Sequence, residues 1–388
     1  MRTKVLYVFC GELASGAEIV METLMASNTL YVESHLFISP GKFAEKLLGL
    51  QKPYPIVIVP QLSKLNRSTT GKVAFYMKAL TNYVSISYKT IKYVYKNNID
   101  VVHANTVVPA AYLIPAVIFS KIFRPKTKWL WTDHDLKYFK VDQFFSNIAY
   151  KLYDKTIAVS KAVNAKYGNK PKVELLYNVL DTDIFKPNSG QRQAFRQKWN
   201  VNGETLLFAI AGIISPRKGQ LELMKAFCEA SKTSFQIQLL LAGNFGPDYP
   251  DYNTEVRELA DKLPNVKYVG HIDNMIEFYN GCDVIINNSS ANGSEPFGAT
   301  IYEAMSCEKI VAAANTGGLP ELIDDGQNGF LFEPDNLLSL ENQIKNITVN
   351  FDHLDEIKKA AREKVKRTFG CKIITDEYNK ILKSLKSN

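Results

Sequence analysis

The sequence predicts an α/β protein with two doubly wound domains, each a parallel sheet covered by helices on both faces. Short runs of Val, Ile and Leu alternate with longer amphipathic stretches, which is the pattern of parallel strands separated by helices. The pattern occurs in two series of about 180 residues each, as expected for two such domains. The 388 residues, 46% of them hydrophobic, suffice for two cores of ordinary size.

The strands can be placed individually. In the first series they are predicted at residues 4–9, 30–38, 55–59, 100–103, 128–132, 156–159 and 173–176, and in the second at 206–211, 236–242, 266–269, 283–287, 310–314 and 329–332. Helices separate most of them, and the clearest are predicted at 71–96, 219–231, 254–263 and 298–306. After residue 352 the chain has the pattern of a charged helix that continues to the end.

The join between the domains is predicted within residues 178–190, where Pro, Asn, Ser and Gly cluster and the strand pattern stops. The first domain is therefore assigned to residues 1–187 and the second to 188–367, with a final helix over about 368–388 packing back on the first. In folds of this class ligands bind outside the carboxyl ends of the strands. We therefore expect the active site in a cleft that the two domains share.

Composition argues for a cytoplasmic protein. No signal peptide is visible, and the longest apolar stretch, residues 107–120, contains two prolines and is too short to span a membrane. The five cysteines are scattered and form no Cys-x-x-Cys pair, which favours free thiols in a reducing compartment. They are Cys10, Cys228, Cys282, Cys307 and Cys371.

The net charge of +8 is concentrated in the first half of the chain, where residues 1–187 carry +12 and the remainder −4. From Lys46 to Ile99 there are nine Lys or Arg and no acid. Tyrosines are interleaved with these cations at positions 76, 83, 88, 93 and 95. Such a surface suits anionic lipid headgroups or a phosphate-bearing ligand, and the alternative is a plain solvated lysine face. No nucleic-acid-binding signature accompanies the charge, so nucleic acid is not expected as a partner.

Two loops have the features of phosphate-binding turns. In "FCGELASGAEIV" Gly16 precedes a helix whose free N–H groups favour an anion, although the Gly-x-Gly-x-x-Gly dinucleotide fingerprint is missing. In "AGIISPRKGQ" Arg217 and Lys218 stand just before a helix N-terminus, where two cations are unfavourable unless an anion joins them. This conflict indicates a diphosphate, and the alternative is two solvated side chains.

The stretch "SEPFGATIYEAM" holds two glutamates eight positions apart, Glu295 on a loop and Glu303 inside a helix. A carboxylate such as Glu303 can accept hydrogen bonds from two neighbouring ribose hydroxyls, and a loop carboxylate can hold sugar hydroxyls. The helix start between them, at Phe297, Gly298 and Ala299, offers free N–H groups to an anion. The alternative, a pair of surface glutamates, fits poorly with the small apolar residues around Glu303.

These motifs resemble those of retaining GT-B glycosyltransferases, specifically glycosyltransferase family 4. The Glu-x7-Glu block within "EPFGATIYEAMSCEKIVAAANTGGLPELIDDGQNGFLFEPD" is the most specific match. "SGAE", "DVVHAN", "WTDHD", "AVSKAV…YNVLDTDIFKP" and "ISPRKGQ" are similar to further family segments, so the resemblance covers most of the chain. It implies the GT-B fold: two facing Rossmann-like, doubly wound domains with an interdomain cleft, the first binding the acceptor and the second the nucleotide-sugar.

The resemblance also implies roles for individual residues. Lys218, helped by Arg217, would neutralise the leaving nucleoside diphosphate, and Glu303 would hold the ribose. Glu295, with the amides of Phe297 and Gly298 at the start of the Ala299 helix, would hold the donor sugar and its phosphate. Backbone groups near Ile272 would recognise the base, and Gly16 would lie close to the donor. His134 would lie near the sugar and the acceptor. Without the family pattern, His134 would be interpreted as a structural histidine bonded by its neighbours.

One position departs from the family pattern, which commonly carries an arginine where this chain has Ile213. The diphosphate would then have one cation fewer beside it. Two Asp-x-Asp sequences, 181–183 and 133–135, resemble metal-binding motifs of another glycosyltransferase class. We expect neither to bind a metal, because Arg217 and Lys218 supply positive charge, and no other cofactor is predicted.

The function expected from the resemblance is metal-independent, retaining transfer of a sugar from a nucleotide donor to a hydroxyl of a saccharide or lipid-linked saccharide. The acceptor would attack from the face that the diphosphate leaves, and closure of the cleft would exclude water. Two alternatives stay open: a nucleotide-sugar epimerase of the same architecture, and a non-catalytic nucleotide-sugar-binding protein. A basic membrane adaptor would not need the two glutamates.

Overall fold

The structure is a computed structural model that describes residues 2–9, 15–63, 72–137, 140–168, 170–232 and 236–387, with the side chains of 72–76 left out. The chain divides into two compact units. Unit 1 comprises Met1–Val179 together with Cys371–Asn388, and unit 2 comprises Leu180–Gly370. The first division, between residues 179 and 180, lies within residues 178–190, and the last segment groups with unit 1. Cys10 and the predicted helix start at residue 71 lie outside the described residues.

Unit 1 is built on one parallel sheet. Its strands are β1 (Thr3–Val8), β2 (Val32–Ile38), β3 (Ile56–Ile58), β4 (Val101–Asn105), β5 (Lys128–Asp133), β6 (Lys155–Ala158) and β7 (Val173–Leu175), in the spatial order β3-β2-β1-β4-β5-β6-β7. Its helices are α1 (Gly16–Ser27), α2 (Lys42–Gly49), α3 (Lys72–Asn97), α4 (Val107–Tyr112), α5 (Ile114–Phe123), α6 (Lys140–Leu152), α7 (Lys161–Ala165) and, at the chain end, α16 (Cys371–Ser387).

Strand β1 shows why this sheet needs helices on both faces. Alternate residues of a strand point to opposite faces. Val5 and Tyr7 belong to the core that includes α1 and α16, whereas Leu6 and Val8 belong to the core that includes α3, α4 and α5. Because every one of these side chains is buried, the strand is apolar from Val5 to Val8 instead of alternating with polar residues.

Unit 2 repeats the plan with six strands. They are β8 (Leu206–Ala211), β9 (Ile237–Ala242), β10 (Val266–Gly270), β11 (Val284–Asn287), β12 (Ile310–Ala314) and β13 (Phe330–Phe332), all parallel and ordered β10-β9-β8-β11-β12-β13. Its helices are α8 (Ser189–Lys198), α9 (Gln220–Ser231), α10 (Pro250–Lys262), α11 (Met275–Gly281), α12 (Ala299–Ser306), α13 (Leu319–Leu322), α14 (Leu337–Asn350) and α15 (Asp355–Phe369).

The predicted fold class is confirmed. The thirteen predicted strands are all present, with ends that differ by at most about two residues, which is the usual disagreement between methods. Helix α10 begins at Pro250, four residues before its predicted start at 254, because proline suits the first turn of a helix.

The charged helical pattern predicted after residue 352 is present, and it is divided between two helices. The segment forms two helices, α15 and α16, separated at Gly370, whose backbone is extended (φ −64°, ψ 152°). A Cβ at Gly370 would lie 2.7 Å from the Lys366 carbonyl oxygen, so the chain bends where only glycine fits. Helix α16 then packs on α1, and the Tyr378 hydroxyl lies 2.8 Å from Nδ1 of His103.

Each sheet has one point at which the strand order reverses. In unit 1 it lies between β1 and β4, and in unit 2 between β8 and β11. Loops that follow the two strands at such a point diverge to opposite faces and leave a crevice at the carboxyl edge, where doubly wound folds bind ligands. In the part of the chain that the structure describes, no helix is both long and apolar enough to cross a membrane.

Candidate active site

The candidate site of unit 2 lies at its reversal point. Strands β8 and β11 are hydrogen-bonded neighbours, with Phe208 paired to Val284. The loop after β8 carries Arg217 and Lys218, and the loop after β11 carries Glu295. Because the strands are parallel, both loops leave the same edge of the sheet, and residues 77 or 78 positions apart in the chain come into contact there.

The turn that holds Lys218 is fixed by a close backbone contact. Residues Pro216–Lys218 form one turn of 3₁₀ helix, and Gly219 follows in the left-handed conformation (φ +64°) before α9 begins. A Cβ at Gly219 would lie 2.6 Å from both the side-chain nitrogen and the carbonyl oxygen of Asn288. The Asn288 amide donates a 2.8 Å hydrogen bond to the Gly219 carbonyl, so the two loops are joined at this point.

Glu295 is the anion beside the two cations of this turn. Its Oε2 forms an ion pair with Nζ of Lys218, lies 3.5 Å from a guanidinium nitrogen of Arg217, and lies 3.3 Å from the Ser289 hydroxyl. Burial acts to raise the pKa of Glu295, but Lys218 and Arg217 outweigh it, and the pKa is lowered overall. The sequence interpretation required an external anion near Arg217 and Lys218. The structure instead shows that a carboxylate of the chain itself neutralises them.

The backbone of Glu295 rests on two glycines of the loop after β12. A Cβ at Gly317 (φ +60°) would lie 2.2 Å from the Glu295 carbonyl oxygen, and one at Gly318 would lie 2.4 Å from the Pro296 carbonyl oxygen. The Gly318 N–H donates a 2.8 Å hydrogen bond to the Glu295 carbonyl. Glycine at both positions therefore lets the two loops approach closely, and this contact fixes the position of the Glu295 backbone.

Glu303 lies in a different environment, one turn into α12. Its Oε2 accepts a 2.7 Å hydrogen bond from the hydroxyl of Tyr279, a fully buried residue of α11. Burial raises the pKa of Glu303 to about 7, and the Tyr279 hydrogen bond opposes that rise only in part. Near neutral pH this carboxyl therefore exchanges between its neutral and ionised forms.

The other residues of the predicted donor site differ in how far their side chains are exposed. The Phe297 ring is buried against Tyr302 and Phe369, with ring centroids 5.1 and 5.4 Å away, so only its backbone can face a ligand. Gly298 is left-handed (φ +102°) and precedes Ala299, the first residue of α12. Ile272 is half-buried just beyond β10, and the side chain of Ile213 is 44% exposed in the turn after β8.

Three glycines stand at the ends of adjacent strands beside this turn. Gly212, Gly243 and Gly270 follow or end β8, β9 and β10, and all have positive φ. A Cβ at Gly243 would lie 1.9 Å from the Gly212 carbonyl oxygen, whereas one at Gly270 would meet nothing within 4 Å. A Cβ at Gly212 would lie 3.5 Å from Cε of Lys218. Of the three glycines, Gly270 therefore leaves its backbone open to close approach by a ligand.

His134 belongs to the corresponding edge of unit 1. Its Nε2 lies 2.8 Å from the side-chain oxygen of Asn105, at the end of β4, and the Asn105 amide donates to the Ala17 carbonyl in α1. Because that donation orients the amide, Nε2 of His134 is the protonated nitrogen and Nδ1 can accept. Burial lowers the pKa of His134 to about 4, against the opposing charge of Asp133, so the ring is neutral at pH 7. Its role near the sugar and the acceptor stays a prediction.

Gly16 is the first residue of α1 and is exposed. A Cβ there would meet nothing within 4 Å. The N-terminus of α1 already holds an acid, because the carboxylate of the buried Glu18 accepts a 3.0 Å hydrogen bond from the Ser15 N–H. An approaching phosphate would compete with this capping carboxylate, and the predicted proximity of Gly16 to the donor stays a prediction.

The two Asp-x-Asp sequences have other partners. Asp133 is fully buried and forms an ion pair with Lys166 (2.5 Å) and a hydrogen bond with the Tyr167 hydroxyl. Asp181 accepts hydrogen bonds from the backbone of Asp183 and Ile184 in a turn. Among the described residues no group of three or more His, Cys, Asp or Glu side chains is arranged to hold a metal ion.

Sequence reasoning missed the residues that support the site. Ser289, Asn288 and Tyr279 contact Glu295, Gly219 and Glu303 respectively. Asn288 and Ser289 lie in the polar "NSSANGSEP" loop, whose composition was a signal, but their partners are distant in sequence. Tyr279 lies on a different helix from Glu303 and gave no signal at all.

Known proteins resemble this chain in sequence. Residues 191–364, which lie within unit 2, match the sequence model of the glycosyl transferases group 1. The chain is 24% identical over 343 residues to N-acetyl-alpha-D-glucosaminyl L-malate synthase of Bacillus anthracis, covering 86% of this chain and 85% of that protein. It is 29% identical over 204 residues to lipopolysaccharide 1,2-N-acetylglucosaminetransferase of Salmonella typhimurium, covering 49% of this chain and 52% of that protein.

A solved structure shows the same fold along the chain. Anabaena HepE, crystallised with UDP and glucose, superposes with a TM-score of 0.82 at 21% identity, covering 99% of this chain and all of HepE. At that identity the likeness bears on the fold alone, and the sequence matches bear on the kind of enzyme. Unit 2 thus matches the glycosyl transferases group 1 over most of its length, and the chain is a glycosyltransferase with the GT-B fold.

Proposed function

We propose that this glycosyltransferase is a retaining, metal-independent enzyme. It would move a sugar from a nucleoside-diphosphate donor to a hydroxyl of a saccharide or lipid-linked saccharide, in the synthesis of cell-surface polysaccharide or glycolipid. The observation that carries the proposal is the contact of Lys218 and Arg217 with Glu295 at the reversal point of unit 2, beside a glycine-lined sheet edge. This arrangement offers two cations to a diphosphate and one carboxylate to a sugar.

Donor binding would begin with an exchange of partners. The diphosphate would take Lys218 and Arg217 from Glu295, because it carries more negative charge than one carboxylate and offers several acceptor oxygens to both cations. Glu295 would then be free to accept hydrogen bonds from the donor sugar. Since Lys218 has only about a tenth of its side chain exposed, the interaction would be stronger than that of a surface pair.

The second carboxyl would hold the nucleoside. The ribose diol donates two hydrogen bonds, and an ionised Glu303 can accept both. The Tyr279 hydroxyl would donate a third hydrogen bond to the same carboxylate and orient it. The base would lie near Ile272, where Gly270 leaves the backbone open. HepE was crystallised with UDP and glucose, which supports a uridine donor, and a guanosine donor is the alternative.

The transfer itself would exchange one bond for another. The acceptor oxygen forms a bond to the anomeric carbon, the bond from that carbon to the phosphate oxygen breaks, and the acceptor proton passes to the departing diphosphate. Attack from the face that the diphosphate leaves retains the configuration. Lys218 and Arg217 would stabilise the charge that develops on the leaving oxygen, which is the task that a metal ion performs in other transferases.

The acceptor and the place of action are proposed from the names of two relatives and from the charge of the first half of the chain. The Salmonella relative is named a lipopolysaccharide transferase, which supports a saccharide or lipid-linked acceptor. The Bacillus relative is named an L-malate synthase, so related enzymes take different acceptors. We propose action in the cytoplasm at the inner face of the membrane, in keeping with the charge of +12 on residues 1–187.

Calorimetric titration with UDP, GDP, ADP and their sugars tests the donor site. We expect one nucleotide to bind selectively and both Lys218→Ala and Glu303→Ala to weaken it about 100-fold. Lys232→Ala and Glu229→Ala, which remove an exposed ion pair at the far end of α9, are the matched controls and should leave binding unchanged. An unchanged nucleotide affinity in both Lys218→Ala and Glu303→Ala would mean that the nucleotide binds elsewhere.

Product analysis separates the proposed transferase from its rivals. With nucleotide-sugar alone, an epimerase yields a new nucleotide-sugar, whereas the transferase leaves the donor intact apart from slow hydrolysis. With an acceptor extract added, the transferase releases nucleoside diphosphate and forms a glycoside of unchanged anomeric configuration. Tight donor binding with no product in either case would support a non-catalytic binding protein.

A further inference from the structure

Unit 1 carries a contiguous apolar surface that the donor site does not use. We call it the α3–α5 surface, and it consists of the exposed side chains of Met77, Leu80, Val84 and Tyr88 and the partly exposed Tyr95 on α3, and of Ile118, Phe119, Ile122 and Phe123 on α5. Tyr88, Ile122 and Phe123 are 66%, 67% and 63% exposed. Single exposed apolar side chains are ordinary, but a contiguous patch marks an interaction site.

The apolar residues of α3 form one stripe. At 3.6 residues per turn, positions 77, 80, 84, 88 and 95 fall within an arc of about 80°. The opposite face of α3 is buried, with Ile86 and Val94 in the core of unit 1. On α5, Ile118, Phe119 and Ile122 are exposed while Ala116 and Val117 join the same core. Both helices therefore cover the same face of the sheet, and their exposed stripes point away from it on the same side.

The two stripes are adjacent. The Ala116 N–H of α5 donates a 3.2 Å hydrogen bond to the Ser87 hydroxyl of α3, which fixes the helices side by side. Near the other end of both helices, the Tyr95 hydroxyl donates to the Phe123 carbonyl (3.4 Å), and the Arg124 guanidinium lies over the Tyr95 ring at 4.6 Å. The aromatic rings of Phe119 and Phe123 are themselves 4.6 Å apart. The surface is thus continuous from one helix to the next.

Cations border the apolar stripe and acids are nearly absent. Residues 46–132 contain thirteen Lys or Arg and one acid, Asp100, which forms an ion pair with Lys386. Along α3, Lys78, Lys92 and Lys96 lie beside the stripe and form no ion pair with another described residue. Apolar and tyrosine side chains in the middle with cations around them are the composition of a surface that inserts shallowly into an anionic bilayer.

The charge also argues against self-association. In a symmetric dimer the same patch meets itself, so the lysines of one copy would face those of the other, which is unfavourable. We propose that the α3–α5 surface docks this enzyme on an anionic membrane, with the apolar stripe among the acyl chains and the lysines at the headgroups. This deepens the proposed function, because a lipid-linked acceptor lies in that membrane.

The test is flotation of the full chain with vesicles of phosphatidylcholine alone or mixed with phosphatidylglycerol. We expect binding to the anionic vesicles and little to the neutral ones. Ile118→Asp combined with Ile122→Asp should lower binding at least about tenfold, because it removes apolar burial and adds repulsion. Tyr88→Ser on the other helix should lower it less. Val349→Asp, at an 81% exposed apolar position of α14 in unit 2, is the matched control and should bind like the wild type.

Three outcomes would overturn the proposal. These are equal flotation with neutral and anionic vesicles, flotation of the aspartate variant at the wild-type level, and a loss of oligomers in sedimentation with vesicle binding unchanged, which would assign the surface to a second copy. If the double aspartate variant unfolds at a lower temperature than the wild type, the flotation of Tyr88→Ser tests the proposal instead. The assay contains no nucleotide, so a failure here leaves the proposed donor chemistry intact, and nucleotide titration of the same variants reports on it separately.

Discussion

Glu295 and Glu303 are the same residue type, eight positions apart, and the fold treats them in opposite ways. Glu295 has Lys218 and Arg217 as neighbours, and its pKa is lowered although burial acts to raise it. Glu303 has no cation among its described contacts, only the Tyr279 hydroxyl, and burial raises its pKa to about 7. Two carboxyls whose environments push their pKa values apart are suited to different tasks. Glu295 is a fixed charge held by two cations, and Glu303 is a titrating group.

The largest expected effect comes from disturbing the loop contact that supports the Glu295 backbone. Gly317→Ala places a methyl group 2.2 Å from the Glu295 carbonyl oxygen at a left-handed position, so we expect a loss of about 3 kcal/mol in the free energy of unfolding. Gly326→Ala is the matched control: its φ is +70°, but nothing lies within 4 Å, so it should cost only about 1 kcal/mol. Urea denaturation measures both. Equal losses would mean that the loop contact does not fix Glu295.

Glu303 should make stability depend on pH in a specific direction. Its folded pKa of about 7 exceeds the ordinary 4.5, so between these values the folded state binds more protons and stability falls as pH rises. Glu303→Gln removes that penalty. We expect it to be more stable than the wild type by up to about 3 kcal/mol at pH 8 and equal to it near pH 4.

The check is denaturation of wild type and Glu303→Gln at pH 4, 6 and 8, with the exposed Glu229→Gln as the control that should show no such trend. The same variant should bind nucleotide more weakly, since its amide accepts fewer hydrogen bonds from the ribose. A stability difference that does not change with pH would contradict the assigned environment of Glu303.

Removing the charge of Glu295 should improve nucleotide binding while impairing transfer. In Glu295→Gln the diphosphate no longer competes with a carboxylate for Lys218 and Arg217, so we expect the affinity for the free nucleoside diphosphate to rise about tenfold. Turnover should fall, because the sugar loses its carboxylate partner. Calorimetry with nucleoside diphosphate and a turnover assay with nucleotide-sugar measure the two effects. Weaker diphosphate binding would show that Glu295 supports the cations and does not compete for them.

The smallest expected effect comes from adding a positive charge at Ile213, in the turn that also carries Lys218. Ile213 is 44% exposed in the phosphate turn, at the position where the family pattern commonly has arginine. Ile213→Arg should raise nucleoside-diphosphate affinity about fivefold, a gain typical of one partly exposed cation. Its backbone carbonyl accepts from Gln220, so the turn should survive the change. Ile213→Gln, similar in length but neutral, is the control. An equal gain from Gln would exclude a charge effect.

The fold could be predicted almost completely because it depends on local pattern. Most strands of both sheets contain a short run of apolar residues, and burial on both faces makes such runs conspicuous. Gly370 was not singled out as the break between α15 and α16, because a charged amphipathic sequence continues on both sides of it, and a Cβ there would meet the Lys366 carbonyl oxygen. That contact cannot be inferred from composition.

By itself the sequence determined the α/β class, the two strand series, the positions of Lys218, Glu295 and Glu303, and the excess of positive charge in the first half. Only the tertiary structure decided what those side chains contact. Lys218 and Glu295 meet because β8 and β11, which lie far apart in the chain, are neighbours at the point where the strand order reverses. Tyr279 meets Glu303, and the apolar stripes of α3 and α5 become one surface, through the packing of separate helices. Sequence periodicity determines which side of a helix or strand is buried. The residue that a given side chain contacts depends on packing between segments that are distant in sequence.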